Sequence, residues 1–131
     1  MSIYFGEKLY SGGTGGGITI ANLYSGSLSN GGTASLTDSY KNYDFIVAIA
    51  GISGSKQYQY SGFFSVADIP ESGIRHLYLA TPFELNADKT MKNYCGMVVE
   101  FISDTSIGVI SRYAGWASGT LFKLIGIKIS A

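Results

Sequence analysis

The chain is poor in the residues that staple, kink or charge a protein. It has one cysteine, Cys95, two prolines and one histidine, His76, in 131 residues, and only 14% of its residues are charged. A single cysteine excludes an internal disulfide. One His and one Cys cannot assemble a zinc site from nitrogen and sulfur ligands within a subunit, so no metal or other cofactor is expected. Nine Lys and Arg balance nine Asp and Glu and are scattered, which leaves no basic stripe to hold a phosphate backbone and argues against nucleic acid. No apolar run approaches the roughly 18 residues of a membrane span, and no charged segment followed by an apolar one opens the chain. Neither membrane insertion nor a signal peptide is expected, and synthesis in a cytoplasm follows. Also missing is any window with apolar residues at three-and-four spacing, so no long helix is expected.

What is present is apolar, aromatic and rich in turns. Hydrophobic residues make up 46% of the chain, with ten Tyr, seven Phe, one Trp and 18 Gly. The length suits one domain with its own core, and the low charge calls for a low-charge surface or an extensive interface. The run Gly12-Gly13-Thr14-Gly15-Gly16-Gly17 is too flexible for a packed strand. Residues 1–20 are therefore assigned to a Gly-rich arm or connection and residues 21–131 to the domain. The run is not a phosphate loop, because no Gly-Lys-Ser or Gly-Lys-Thr follows it.

The centre of the domain is the near-continuous apolar stretch 42–51. Alternation places Tyr43, Phe45, Val47 and Ile49 on a bulky face and Ile46, Ala48, Ala50 and Ile52 on a smaller one. Both faces need cover. The other strands suffice for the Phe45 and Val47 face, and the Ala48 and Ala50 face packs on a second sheet or toward a subunit neighbour. Further strands are expected at 23–28 and 33–37, joined as a hairpin through Ser29-Asn30-Gly31-Gly32. Others are expected at 57–66, 74–81 (ended by Pro82), 94–102, 107–113 and 121–129. Residues 83–89 form a polar connection that can hold a helical turn. About eight short strands separated by turn signals predict an all-β, antiparallel β-sandwich or jelly-roll-like single domain.

The aromatic residues supply the candidate contacts. Tyr113 and Trp116 belong to the Gly-rich loop 113–119, where an aromatic ring can stack on the apolar face of a sugar, and Tyr58 and Tyr60 share a strand face with Lys56. Each of these also reads as an ordinary packing or subunit contact. Cys95 shares a face with Met97, Val99 and Phe101, where a thiol is inert. Asp44 and Glu100 lie within apolar strands and need partners, with Lys123 and Lys128 the expected ones. Alternatively they are a carboxylate pair for glycan hydrolysis.

The segments Leu23-Tyr24-Ser25-Gly26-Ser27, Gly32-Thr33-Ala34-Ser35-Leu36-Thr37-Asp38-Ser39, Asn42-Tyr43-Asp44-Phe45-Ile46-Val47 and Leu124-Ile125-Gly126-Ile127-Lys128-Ile129 resemble small β-rich domains at the ends of bacteriophage and prophage tail fibres and related virion appendages. The resemblance implies a non-catalytic structural protein on a virion or particle surface. It also implies a homo-oligomer, preferentially a trimer, that contacts other virion proteins and recognises a host-surface glycan or protein. It carries over no site residues. A free lectin-like carbohydrate-binding module and a small glycan hydrolase are the alternative readings.

Overall fold

The computed structural model describes residues 2–5, 8–11, 17–111 and 117–130. β1 (Ser2–Phe5) and β2 (Lys8–Ser11) pair with each other as an antiparallel hairpin. The remaining strands are β3 (Gly17–Leu28), β4 (Thr33–Ser35), β5 (Phe45–Ile52), β6 (Ser55–Ser65), β7 (His76–Leu85), β8 (Met91–Ser103), β9 (Ser106–Ile110) and β10 (Ala117–Ser130). β3 thus begins inside the segment assigned to the arm. Two single 3-10 turns, at Tyr40–Asn42 and Val66–Asp68, are the helical elements among the described residues. The candidate sugar-stacking residues Tyr113 and Trp116 and the run from Gly12 to Gly16 lie outside the described residues.

The domain is all-β, as the alternating pattern requires, and it is built on one continuous eight-stranded sheet. Strands β3, β10, β5 and β6 are antiparallel neighbours in one half, and β7, β8, β9 and β4 in the other. β10 joins the halves. Its first residues, Ala117 and Ser118, pair in parallel with Cys95 and Gly96 of β8, and the rest of it runs between β3 and β5. The sheet curls so that Leu23, Ile46, Ala48, Leu121 and Leu124 from one half share a core with Leu77, Met97, Val99, Phe101, Ile107 and Val109 from the other. A buried hydroxyl secures the junction: Ser111 Oγ accepts from the Gly119 N–H and donates to Gly96 O at 3.1 Å. The Ser111 N–H donates to Asn30 Oδ1 at 2.9 Å. Among the described residues no buried side-chain nitrogen or oxygen lacks a partner, which is the condition for burying one.

The small β5 face packs inside the domain, one of its two expected outcomes, whereas the bulky face, expected to be covered by other strands, is not. Ile46, Ala48 and Ala50 are fully buried in the core, while Phe45, Val47 and Ile49 are only half-buried and turn outward. The small side chains are inside because bulky ones fill the space opposite them. Tyr60 and Phe64 of β6 pack there, and the Phe64 ring lies over Gly62, directly opposite Ala48. β5 and β6 connect through Ser53 and Gly54, whose φ angles of 49° and 78° are both positive, as a two-residue hairpin turn demands.

Two local readings are also corrected. The Asn30-Gly31 turn forms, with Gly31 at φ 81° and the Gly32 N–H donating to Ser29 O at 2.8 Å. It does not close a hairpin, because β3 pairs with β10 and β4 with β9. The turn instead docks on β9, where the Gly31 N–H donates to Val109 O and the Val109 N–H to Gly32 O. The chain likewise does not leave the sheet at Pro82: β7 continues to Leu85, with register shifts around Glu84. Pro82 is tolerated because β7 pairs only with β8 among the described strands, so its missing N–H costs no second ladder bond. The connection to β8 is a turn closed by the Asn86 N–H donating to Thr90 O at 2.8 Å, not a helical one.

Candidate functional site

The outward surface of the β3-β10-β5-β6 half can be read row by row from the strand register. From one end, the rows are Ile18-Ile129, then Ile20-Ile127-Phe45-Ser65, then Asn22-Ile125-Val47-Phe63, then Ser25-Lys123-Ile49-Ser61. The first three hold no charged side chain. Phe63 is 60% exposed, Ile129 53% and Ile20 39%, and the Phe45 and Phe63 rings lie 5.1 Å apart. Scattered single apolar residues are the norm on a monomer surface, and contiguous apolar rows are unusual there.

The fourth row is different, and a bulge in β10 makes it so. Leu121 pairs with Ala50 and Lys123 with Ile49, leaving Phe122 as an extra residue in β10. Leu121 and Leu124 both point into the core, so Phe122 and Lys123 lie together on the outward side. Bulges re-aim side chains in this manner. The Phe122 ring settles over Gly51, where a Cβ would stand 2.4 Å from its Cε2. Lys56, just past the β5–β6 turn, brings its Nζ to 5.6 Å from the ring centroid. The result is a cleft of about 310 Å³ bordered by Ser25, Ile49, Lys56, Gln59, Phe122 and Lys123.

The residues singled out by sequence do not form one patch. Tyr60 points inward, with its hydroxyl 3.4 Å from Cys95 Sγ. Tyr58 is 52% exposed and borders a different groove, with Ile52, Ser53, Ser55 and Glu84. Lys56 goes to the cleft. Tyr113 and Trp116 lie outside the described residues. Phe122, Lys123, Gln59 and Ser25 were not singled out as a site. The available signal was the sequence Leu121-Phe122-Lys123-Leu124, in which strict alternation cannot bury both leucines.

Cys95 is fully buried, and burial raises its thiol pKa despite the opposing hydrogen bond with Tyr60. A thiol so raised stays protonated in the native state well above neutral pH. In native protein at pH 8, a thiol reagent such as a maleimide is expected to leave Cys95 unmodified, while denaturant makes it react within minutes; rapid labelling of the folded chain would contradict this. Cys95 also faces the core while His76 is on the opposite face of the sheet, so the two do not form a nucleophile and base.

The carboxylates have separate engagements. Asp44 Oδ2 accepts from the Ile129 N–H at 2.7 Å, tying β5's entrance to the end of β10. Glu100 Oε2 contacts His76 Nε2 at 3.0 Å, and His76 Nδ1 meets the Tyr78 hydroxyl at 3.1 Å. Neither uses Lys123 or Lys128, which corrects the expected pairing; the backbone donor and the cross-strand histidine are nearer by register. Asp104 instead collects Arg75 at 3.0 Å and Lys41 at 3.4 Å. Asp38 accepts from the Tyr43 hydroxyl and the Ser39 N–H, which hold its carboxyl below the usual range.

Among the described residues, no three His, Cys, Asp or Glu side chains cluster as a metal site would require, and no helix is long and apolar enough to cross a membrane. No protein-family model matches the chain, and no curated protein matches it. The surface geometry therefore carries the functional reading.

Proposed function

We propose that this chain is a structural, non-catalytic domain of a virion appendage, a phage or prophage tail-fibre tip or a related part, that assembles as a trimer and recognises a host surface. The observation that carries the reading is the outward face of the β3-β10-β5-β6 half, with three consecutive uncharged rows built mainly from Ile, Val and Phe. Fully burying one such side chain contributes about 1.5–3 kcal/mol, so covering several of them with neighbouring copies supplies a strong drive to assemble. The sequence resemblance to tail-fibre domains supports the virion setting. The separate engagements of Asp44 and Glu100, on opposite halves of the sheet, support a non-catalytic role over a two-carboxylate hydrolase.

A free lectin-like module is the second reading, favoured by the cleft beside Phe122. Particle fractionation separates the two. A virion component co-sediments with purified particles and stays with them through a salt wash, whereas a free lectin remains in the supernatant. Recovery of the chain only in the soluble fraction would overturn the virion reading.

A further inference from the structure

The cleft at the polar end of the outward face combines features that together select a ligand. Its two lysines are uncompensated: no carboxylate lies within ion-pair distance of Lys56 or Lys123 among the described residues, while Lys41, Arg75 and Lys92 each have one. Two ammonium groups bordering one concavity attract an anion. Lysines are compact point charges without the planar fork of Arg, and they suit a carboxylate, sulfate or phosphate held by charge. Ile49 and the edge of Phe122 add apolar surface to the same lining, and Gln59 and Ser25 bring an amide and a hydroxyl. A hydroxyl and an amide each both donate and accept, which matches a ring bearing several hydroxyl groups.

The site is built into the strands. Phe122 can lie flat only because residue 51 is glycine, and the β10 bulge sets Phe122 beside Lys123 on one face. Residues held on strands by a packed core are positioned before any ligand arrives. At about 310 Å³ the cleft is at the lower end of the small-molecule range of ~300–1,000 Å³, which suits one sugar residue at the end or side of a longer glycan.

We infer that this cleft binds an acidic sugar residue, its anionic group drawn by Lys56 and Lys123 and its ring against Ile49 and the edge of the largely buried Phe122. The inference deepens the host-surface reading above and rests on it for the source of the ligand. The anion can be the carboxylate of a uronic acid or the phosphate of a phosphorylated sugar, and the chemistry at the lysines is shared.

The test titrates the full chain at low ionic strength with methyl glucuronide, glucose 6-phosphate, methyl glucoside, acetate and inorganic phosphate, following backbone amide NMR shifts. At least one acidic sugar is expected to shift the amides of Ser25, Gln59, Phe122 and Lys123 saturably. The neutral glucoside and the bare anions are expected to bind at least about tenfold more weakly, and added salt to weaken the acidic sugar. Lys123→Gln and Lys56→Gln, both at exposed positions, are each expected to cost about tenfold in affinity while leaving the rest of the amide spectrum in place. Which acidic sugar binds tells carboxylate from phosphate. Equal binding of the glucoside, equal binding of bare phosphate, shifts mapping elsewhere, no shifts at all, or unaltered affinity in both lysine variants would each overturn the inference. Acidic-sugar binding by a chain that does not sediment with particles would retire the virion setting and leave the cleft assignment standing.

Discussion

Gly51→Val is expected to destroy the folded domain. A Cβ at residue 51 would stand 2.3 Å from the Ser55 carbonyl oxygen and 2.4 Å from Cε2 of Phe122. The oxygen is backbone, fixed by the turn in which Ile52 pairs with Ser55, so it cannot rotate away. The ring is wedged by the β10 bulge and is only 5% exposed. Relief requires breaking the β5–β6 turn, the bulge or both. Overpacking typically costs about 1–3 kcal/mol and more when backbone must move, and here a β-branched side chain adds three carbons to a site with no space for one. Against a whole-domain stability of about 5–15 kcal/mol, a loss of ~3 kcal/mol or more leaves a protein that unfolds early or precipitates. Urea denaturation followed by tyrosine and tryptophan fluorescence measures it. Gly17→Ala, where an added Cβ meets nothing within 4 Å, is the control and is expected to unfold with the wild-type midpoint. A Gly51→Val midpoint equal to wild type would mean that Phe122 does not lie over β5, and the cleft would lose part of its lining.

The second large effect concerns assembly. Val47 and Phe63 are direct cross-strand partners on the outward face. In the double variant Val47→Glu, Phe63→Lys the new charges neighbour each other on the monomer surface, where they are solvated and oppositely signed. In an oligomer they would have to be buried in an apolar contact, where desolvation costs several kcal/mol per ion. The variant is therefore expected to be a folded monomer, with wild-type far-ultraviolet circular dichroism but a melting temperature that no longer rises with protein concentration, as an obligate assembly's does. An assembly of wild-type mass in this variant would move the interface elsewhere, to the outer face of β7, β8 and β9, where Tyr78 is 67% exposed.

Strand existence was legible in the sequence, because 42–51, 94–102 and 121–129 combine β-branched and aromatic residues with turn signals between them. Which side of a strand faces the core was not. Alternation in β5 separates Phe45, Val47 and Ile49 from Ile46, Ala48 and Ala50, but the choice between the two sets depends on Tyr60, Phe64 and Leu124 opposite, and those are non-local partners. The bulge at Phe122 hid for a related reason. It puts Leu121 inward and Ile125, Ile127 and Lys123 outward, although a regular strand would give all four odd residues one face. The cleft depends on that break, so period-two reading could not assemble Lys56, Gln59 and Lys123 around Phe122. Asn30-Gly31 teaches the same point from the turn side: the dipeptide dictates a local reversal, while the partners of β3 and β4 are chosen by β10 and β9 at distant positions in the chain. What the sequence does state reliably at these places is local backbone conformation, through Asn30, Gly31 and Gly54.

The apolar rows of the β3-β10-β5-β6 half are proposed to meet other copies of the same chain. Size-exclusion chromatography with multi-angle light scattering on the wild-type protein at micromolar concentration tests it directly. A single species with the mass of three 13.9 kDa chains is expected. A lone species at the mass of one chain, unchanged as concentration is raised, would contradict it.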